Sequence, residues 1–416
     1  MAQGGVTFRS VFAVGEFRAL WTAQVLSIAG DQLARVALTL LVFIRTNSSG
    51  WAALTYALTF IPDLVGGPLL AGLADRFPRR ELMVVADVVR AALVGLMAIP
   101  GTPFVVLCVL LVAVQLLATP FNAARTAMLA KVLDGDMFVV GQAAINITYQ
   151  TAQLAGYVIG GAIVAGVGSS VALAVDAVTF AVSAVIVQLG IRHRPASNDG
   201  SKPRTTLGSL RGGLRLVWND RALRSLIALA CVSGFYVVAE GLAVPYAAEF
   251  GGGPVAAGFL FAASPAGAAL GMVLLTRLLT PEARRRLLGP LAIAACAVLI
   301  VCAAPLGVLL SVVVWAVSGV AQAYQTVASA EFIRAVPDSG RGQAFGLAVT
   351  SLRVAQGLGV VVAGAVADRL APSTVVAIAG ALGTGVALVA ATAWQRARSP
   401  ESADGPTVSP RPAEAD

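Results

Sequence analysis

The chain has 416 residues, of which 58% are hydrophobic and 12% charged, with a mean hydropathy of +0.84. That balance excludes an ordinary water-soluble domain and makes the bilayer the solvent this chain is built for. The net charge of +8 fits basic loops retained on one membrane face and attracted to anionic lipid, so nucleic-acid binding is not needed to explain it.

The residues before Glu16 are short and mixed, with no cleavable signal pattern. Apolar runs between turn and charge clusters predict helices at 18–44, 50–74, 81–99, 103–131, 138–166 and 169–191. A second set is predicted at 223–248, 253–278, 286–303, 306–335, 342–367 and 373–394. The expected fold is therefore an all-α membrane protein of twelve transmembrane helices in two pseudo-symmetric six-helix bundles, at 1–191 and 223–395. A linker at 192–222 joins them, and a disordered tail is expected at 396–416. Within the linker, Leu207, Leu210, Leu214 and Trp218 share one helical face and Arg211 and Arg215 the other. This suits either a helix lying on the leaflet or a solvated basic loop.

Most Lys and Arg residues fall in the termini and in the loops after the even-numbered helices, whereas the opposite loops hold essentially Arg45 and Arg369. Both termini are then expected in the cytoplasm, as for a bacterial-type cell membrane protein. Cys108, Cys231, Cys296 and Cys302 sit in apolar runs without metal-ligand spacing and read as small hydrophobes. The two halves look like copies. Ala152–Ala162 (AQLAGYVIGGA) aligns with Ala355–Ala365 (AQGLGVVVAGA), matching Gly156 with Gly359 and Gly161 with Gly364. Such duplication suits a transporter whose halves rock around a central site.

The stretch AGLADRFPRR, Ala71–Arg80, between the second and third predicted helices, packs Asp75, Arg76, Arg79 and Arg80 into six residues. They cannot lie in hydrocarbon, so this is a loop at a membrane face. Its Leu73, Ala74, Asp75, Arg76, Arg79 and Arg80 resemble the signature loop of the major facilitator superfamily, although Ala71 and Pro78 replace two of that signature's glycines. The resemblance extends from Phe17 to about Gln395, and SIAGDQLARVALTLLVF, VADVVRAALVG and GRGQAFGLAVTSLRVAQGLG are similar to its actinobacterial-type drug and natural-product exporters. It implies a conformational gate of Asp75, Arg76, Arg79 and Arg80, with Asp75 latching the outward-facing state. The corresponding second-half loop has Thr280 and Pro281 where an acid would be expected. It also implies that helices 1, 2, 4, 5, 7, 8, 10 and 11 line the cavity. Gly156–Tyr157 stands where exporters of this kind often carry Gly-Pro, while Gly160 and Gly161 keep the glycine-rich pattern; with Gly359 and Gly364 they are candidate helix-packing positions.

Charges inside the membrane are functional candidates by default. Asp31, Arg35, Asp63, Glu240 and Arg353 are the expected proton-coupling and substrate-cavity residues. Asp31 and Arg35 are one turn apart and can pair on one face, either as a static ion pair or as part of a proton site. Phe60, Tyr149, Tyr236, Tyr246 and Tyr324 are candidate cavity aromatics; Asp87, Arg90, Arg125, Asp176, Glu331 and Arg334 are expected to be structural or at a gate. The expected function is proton-coupled efflux of a lipophilic or amphipathic small molecule, with an uptake symporter as the alternative. No cofactor, metal or catalytic residue is expected, since no GxSxG, HExxH, GxxxxGK[ST] or paired-Cys pattern occurs. The expected partners are a small-molecule substrate, protons and membrane lipids, acting on a monomer without nucleic acid.

Overall fold

The long apolar runs become helices in the computed structural model, which describes residues 7–60, 77–194, 214–337 and 341–398 and contains no strand among them. A short α1 (Phe8–Ala13) leads into α2 (Gly15–Thr46) and α3 (Ser49–Ala57). Ser48 caps α3 by accepting the Trp51 N–H, and α3 continues as a 3-10 turn, Leu58–Phe60. Next come α4 (Arg79–Met97), α5 (Phe104–Val132) and α6 (Asp136–Gly190). Of the expected functional residues, Asp63, Asp75 and Arg76 lie outside the described residues, as do 195–213 of the linker and the tail from 399.

At 55 residues, α6 would be about 80 Å long if straight, against a hydrocarbon core of about 30 Å. It is broken at Gly168, whose φ of 82° lies in the region that favours glycine. The joint predicted between 166 and 169 is therefore a single residue rather than a loop.

The second half begins with three short pieces, α7 (Arg221–Cys231), α8 (Ser233–Gly241) and α9 (Ala243–Glu249). Asp220 caps α7 by accepting the N–H groups of Ala222 and Leu223. Pro245 has no N–H to offer the Gly241 carbonyl, and the helix is interrupted at Leu242. Then follow α10 (Pro254–Leu278), α11 (Pro281–Ala297) with a 3-10 continuation Val298–Ala303, α12 (Gly307–Gln322), α13 (Tyr324–Ala335), α14 (Arg341–Ala367) and α15 (Pro372–Arg398). Nine stretches among the described residues are long and apolar enough to cross a membrane. With apolar side chains such as Val105, Leu189 and Leu309 exposed on the outer helix faces, this is a multi-pass membrane protein.

Helices of the first half pack chiefly on one another, α2 and α4 against α6; in the second half α10 packs on α12, α11 on α15 and α8 on α14. The halves meet where α6 touches α10 and α3 touches α14. Glycines make both kinds of contact. A Cβ on Gly156 would stand 2.9 Å from Gln32 Cβ of α2, and Gly160 lies against Leu33. A Cβ on its counterpart Gly359 would overlap the Gly234 carbonyl of α8. A Cβ on Gly161 would stand 2.6 Å from Pro254 O and against Gly258 of α10, and one on Gly364 would meet Ala53 and Gly50 of α3. Positions aligned by sequence thus perform paired tasks: the first glycine of each repeat seats its helix within its own half, the second against the other half.

Candidate functional site: the cavity between the halves

A cavity of about 650 Å³ lies where the halves meet, lined by Asp31 and Arg35 of α2, Arg90 of α4, Arg125 of α5, Glu240 of α8 and Arg353 of α14. Six glutamines, Gln24, Gln32, Gln115, Gln153, Gln322 and Gln356, join them with Asn122. Four of the five expected cavity residues therefore share one chamber, and the fifth, Asp63, lies outside the described residues.

One end of the chamber is roofed. Tyr56 of α3 donates its hydroxyl to Glu240 Oε2 across the halves at 2.6 Å. Phe261 of α10 stacks between Tyr56 (5.8 Å) and Tyr157 (5.4 Å). Arg35 Nη1 donates to the Tyr157 hydroxyl at 2.9 Å, and its guanidinium stands 5.5 Å from the Tyr56 ring. Tyr56, Tyr157 and Phe261 are all buried. Glu240 lies in α8, two residues before the interruption at Leu242. Above the roof, the Asp368 carboxylate accepts from Ser48 Oγ (3.0 Å) and the Gly50 N–H (3.0 Å). The opposite end is wet: Tyr149 is 43% exposed and Asn122 is exposed at the mouth.

Asp31 does not pair with Arg35. Its carboxylate accepts from Arg90 Nη2 at 2.8 and 3.1 Å, while Arg35 turns to Tyr157. Spacing along one helix put Asp31 and Arg35 on one face, but a cation on the neighbouring α4 offers a better-aimed partner. Arg90, expected on a supporting helix, consequently reaches the cavity, as does Arg125, whose Nη1 is buried without a hydrogen-bond partner among the described residues. Arg353 Nη1 donates to Gln356 Oε1 at 3.1 Å, and its guanidinium stands 5.7 Å from the Phe60 ring. Phe60, Tyr149 and Tyr236 line the cavity, but Tyr246 and Tyr324 do not. Tyr246 is hydrogen-bonded to Ser311 and Tyr324 donates to the Leu229 carbonyl, both in the core of the second half.

At the wet end, Arg79 donates to the Ala127 carbonyl of α5 and Arg80 to the carbonyl of Ile191, the C-cap of α6, at 3.3 Å each. Glu331 accepts from Arg334 and also from Arg285. Thr280 caps α11, accepting the Ala283 N–H, with Pro281 at its first position. The residues that displace the expected acid in this loop are thus a helix start signal.

The sequence pattern of the Major Facilitator Superfamily matches residues 20–313 and 241–414. The chain belongs to this superfamily. It is 30% identical to the multidrug efflux pump Tap of Mycobacterium tuberculosis over 242 residues, covering 54% of this chain and 56% of the pump. The match thus spans little more than half the length of that relative. The uncharacterized MFS-type transporter YvqJ of Bacillus subtilis is 24% identical over 271 residues, covering 62% and 64% of the two chains. Among solved structures, the nucleoside transporter NupG superposes with a TM-score of 0.74 at 15% identity, over 92% of this chain and 98% of that one. Here the likeness is one of fold alone. The residues that sequence reasoning passed over in this superfamily member are the glutamines, Tyr56, Tyr157 and Phe261; the glutamines carried a signal, since each amide interrupts an otherwise apolar span.

Proposed function

We propose that the chain is a secondary active transporter exporting a lipophilic or amphipathic small molecule in exchange for protons. In this reading twelve spans form two six-helix bundles, 1–191 and 223–395, that rock about the central cavity of a monomer in a bacterial-type plasma membrane. The basic loops and both termini face the cytoplasm, so the cavity opens inward and its roof faces out. Asp75, Arg76, Arg79 and Arg80 form the inner gate that closes when the roof opens.

The observation that carries the reading is the Tyr56–Glu240 bond, because it joins a titratable group of one half to the roof of the other. A hydroxyl bonded to an ionised carboxylate is held about twice as strongly as to a neutral one. Proton loss from Glu240 therefore tightens the roof, and proton uptake loosens it. Asp31 and Asp63 are the other carboxylates offered to the proton, and Arg35, Arg125 and Arg353 supply positive charge to polar groups of the cargo. Similarity to an efflux pump supports export. The seven amides of the chamber favour the second reading, a proton-coupled uptake symporter of a hydrogen-bonding metabolite.

Everted vesicles holding an acid interior separate the two. A panel of lipophilic cations and zwitterionic antibiotics added outside should dissipate the proton gradient if the chain is an antiporter. No response to any member, alongside gradient-driven uptake of polar metabolites into right-side-out vesicles, would favour the symporter.

A further inference from the structure

Beside the cavity, α2, α4 and the second arm of α6 bring together three carboxylates and one guanidinium. Asp87 and Asp176 are sealed, at 0% and 1% exposure, whereas Asp31 is partly open to the cavity. Arg90 donates to Asp31 and to Ser27 Oγ (3.2 Å), lies 3.9 Å from the Phe180 ring and stands 3.6 Å from Asp87 Oδ1. Ser183 donates to Asp87 Oδ2 at 2.5 Å, and Asp87 Oδ1 has no hydrogen-bond partner among the described residues. Thr179 is 3.1 Å from Asp176 Oδ1, and Asp176 Oδ2 has no hydrogen-bond partner among the described residues. One guanidinium compensates one carboxylate. Asp87 also stands beside Arg90 and accepts from Ser183, whereas Asp176 has no ion pair among the described residues, and an ionised carboxylate sealed in that way costs several kcal/mol even after relaxation, so Asp176 is the acid of this cluster that is held neutral.

Asp176 also has a route to the transport path. A satellite cavity of about 20 Å³ is lined by Asp176 together with Asp31, Arg35, Thr59 and Gln115, and the last four also line the central cavity. That volume accommodates about one water molecule, with polar partners on both sides. Gly30 permits the approach of α6 to α2, since any Cβ there would overlap Asp176 Oδ1 and Thr179 Oγ1. The charged groups facing Asp176 are Asp31 and Arg35 from α2 and Asp87 and Arg90 from α4.

We propose that Asp176 is a proton-storage site, connected to the central cavity through Asp31 and a single water in the satellite cavity. The step is proton transfer alone. The Asp176 O–H bond breaks, the proton passes through the water to a carboxylate oxygen of Asp31, and Asp176 is left ionised with the total charge of the cluster unchanged. Release of that proton from Asp31 into the cavity leaves Asp176 and Asp31 both ionised, the unloaded state; uptake reverses it. The role in coupling rests on the exporter reading above, but the stored proton does not.

The deciding measurement is infrared difference spectroscopy of the purified full chain in lipid nanodiscs, titrated from acid to alkaline pH without substrate. The carbonyl stretch of a neutral carboxylic acid should persist at neutral pH, vanish in Asp176→Asn and move in Asp176→Glu. Identical carboxyl bands in wild type and Asp176→Asn overturn the proposal. Gly30→Ala, which presses on Oδ1 while keeping the acid, should shift the same band and serves if Asp176→Asn does not fold; an unshifted band there counts against the site. In proteoliposomes with ethidium as probe, Asp176→Asn should keep downhill flux and lose its dependence on the pH gradient. Retained gradient dependence removes Asp176 from coupling. A wild type that moves no ethidium but shows the Asp176 band removes this export reading and leaves the storage site standing.

Discussion

Arg90 holds the first half together through charge rather than through apolar area. It is 1% exposed and faces Asp31, Asp87 and Ser27, so truncation would leave buried carboxylates without a cation. Breaking a buried pair in this way costs about 3–5 kcal/mol. Arg90→Ala should therefore lower the thermal unfolding midpoint in detergent well beyond the change caused by Arg334→Ala, whose guanidinium is largely exposed. Glu240→Gln keeps the shape of the roof but removes the charge, and Asp63→Asn does the same for the other expected carrier. Each variant should weaken the pH dependence of transport measured in everted vesicles. Full proton-driven activity in both would remove these residues from the coupling path. The candidates themselves were legible from the cost of placing a charge in hydrocarbon. Their partners were not: spacing reports which residues of one helix share a face, whereas the contest between Arg35 and Arg90 for Asp31 is decided by the distance between two helices.

Elements were more legible than pairings, because a span must be long and apolar and its ends must leave the membrane. Pro254 and Pro281 open helices where a proline costs no hydrogen bond, and Gly168 breaks α6 within two residues of the predicted joint. The interruptions at Val232 and Ala323 were not legible, whereas Pro245 carried a signal for the one at Leu242. The internal repeat carried more than it first promised, because aligned glycines make equivalent contacts. Gly364→Leu should force α14 away from Gly50 and Ala53 and open the roofed end. With the native cysteines replaced, a cysteine at Thr59, which lines the cavity, should react faster with an impermeant maleimide from outside intact cells when Gly364→Leu is present. An unchanged labelling rate would mean that this contact does not set the closed state.

At the scale of the whole molecule, the sequence pointed to a latch at one end and the structure is closed at the other. The loop containing Asp75 declared itself by its charge density and family signature. Asp368 did not, because an acid beside Arg369 at the end of a span reads as an ordinary membrane-face residue. Its role depends on where α3 begins. Ser48 and Gly50 present a hydroxyl and a backbone N–H at the start of that helix, and the Asp368 carboxylate receives both, tying the C-terminal end of α14 to the N-terminus of α3 across the two halves. A charge at a helix N-terminus is favourable, and a hydrogen bond to a charged group contributes about 1.5–3 kcal/mol. Where two conformational states are separated by a few kcal/mol, one such contact is enough to choose between them. Asp368→Asn retains an acceptor but removes the charge. It should raise the outward-open population and accelerate labelling at Thr59→Cys from outside, while leaving the inner-face contacts of Arg79 and Arg80 and the unfolding midpoint nearly unchanged. If labelling does not accelerate, the roof formed by Tyr56, Phe261 and Glu240 holds the outer end closed without the help of Asp368.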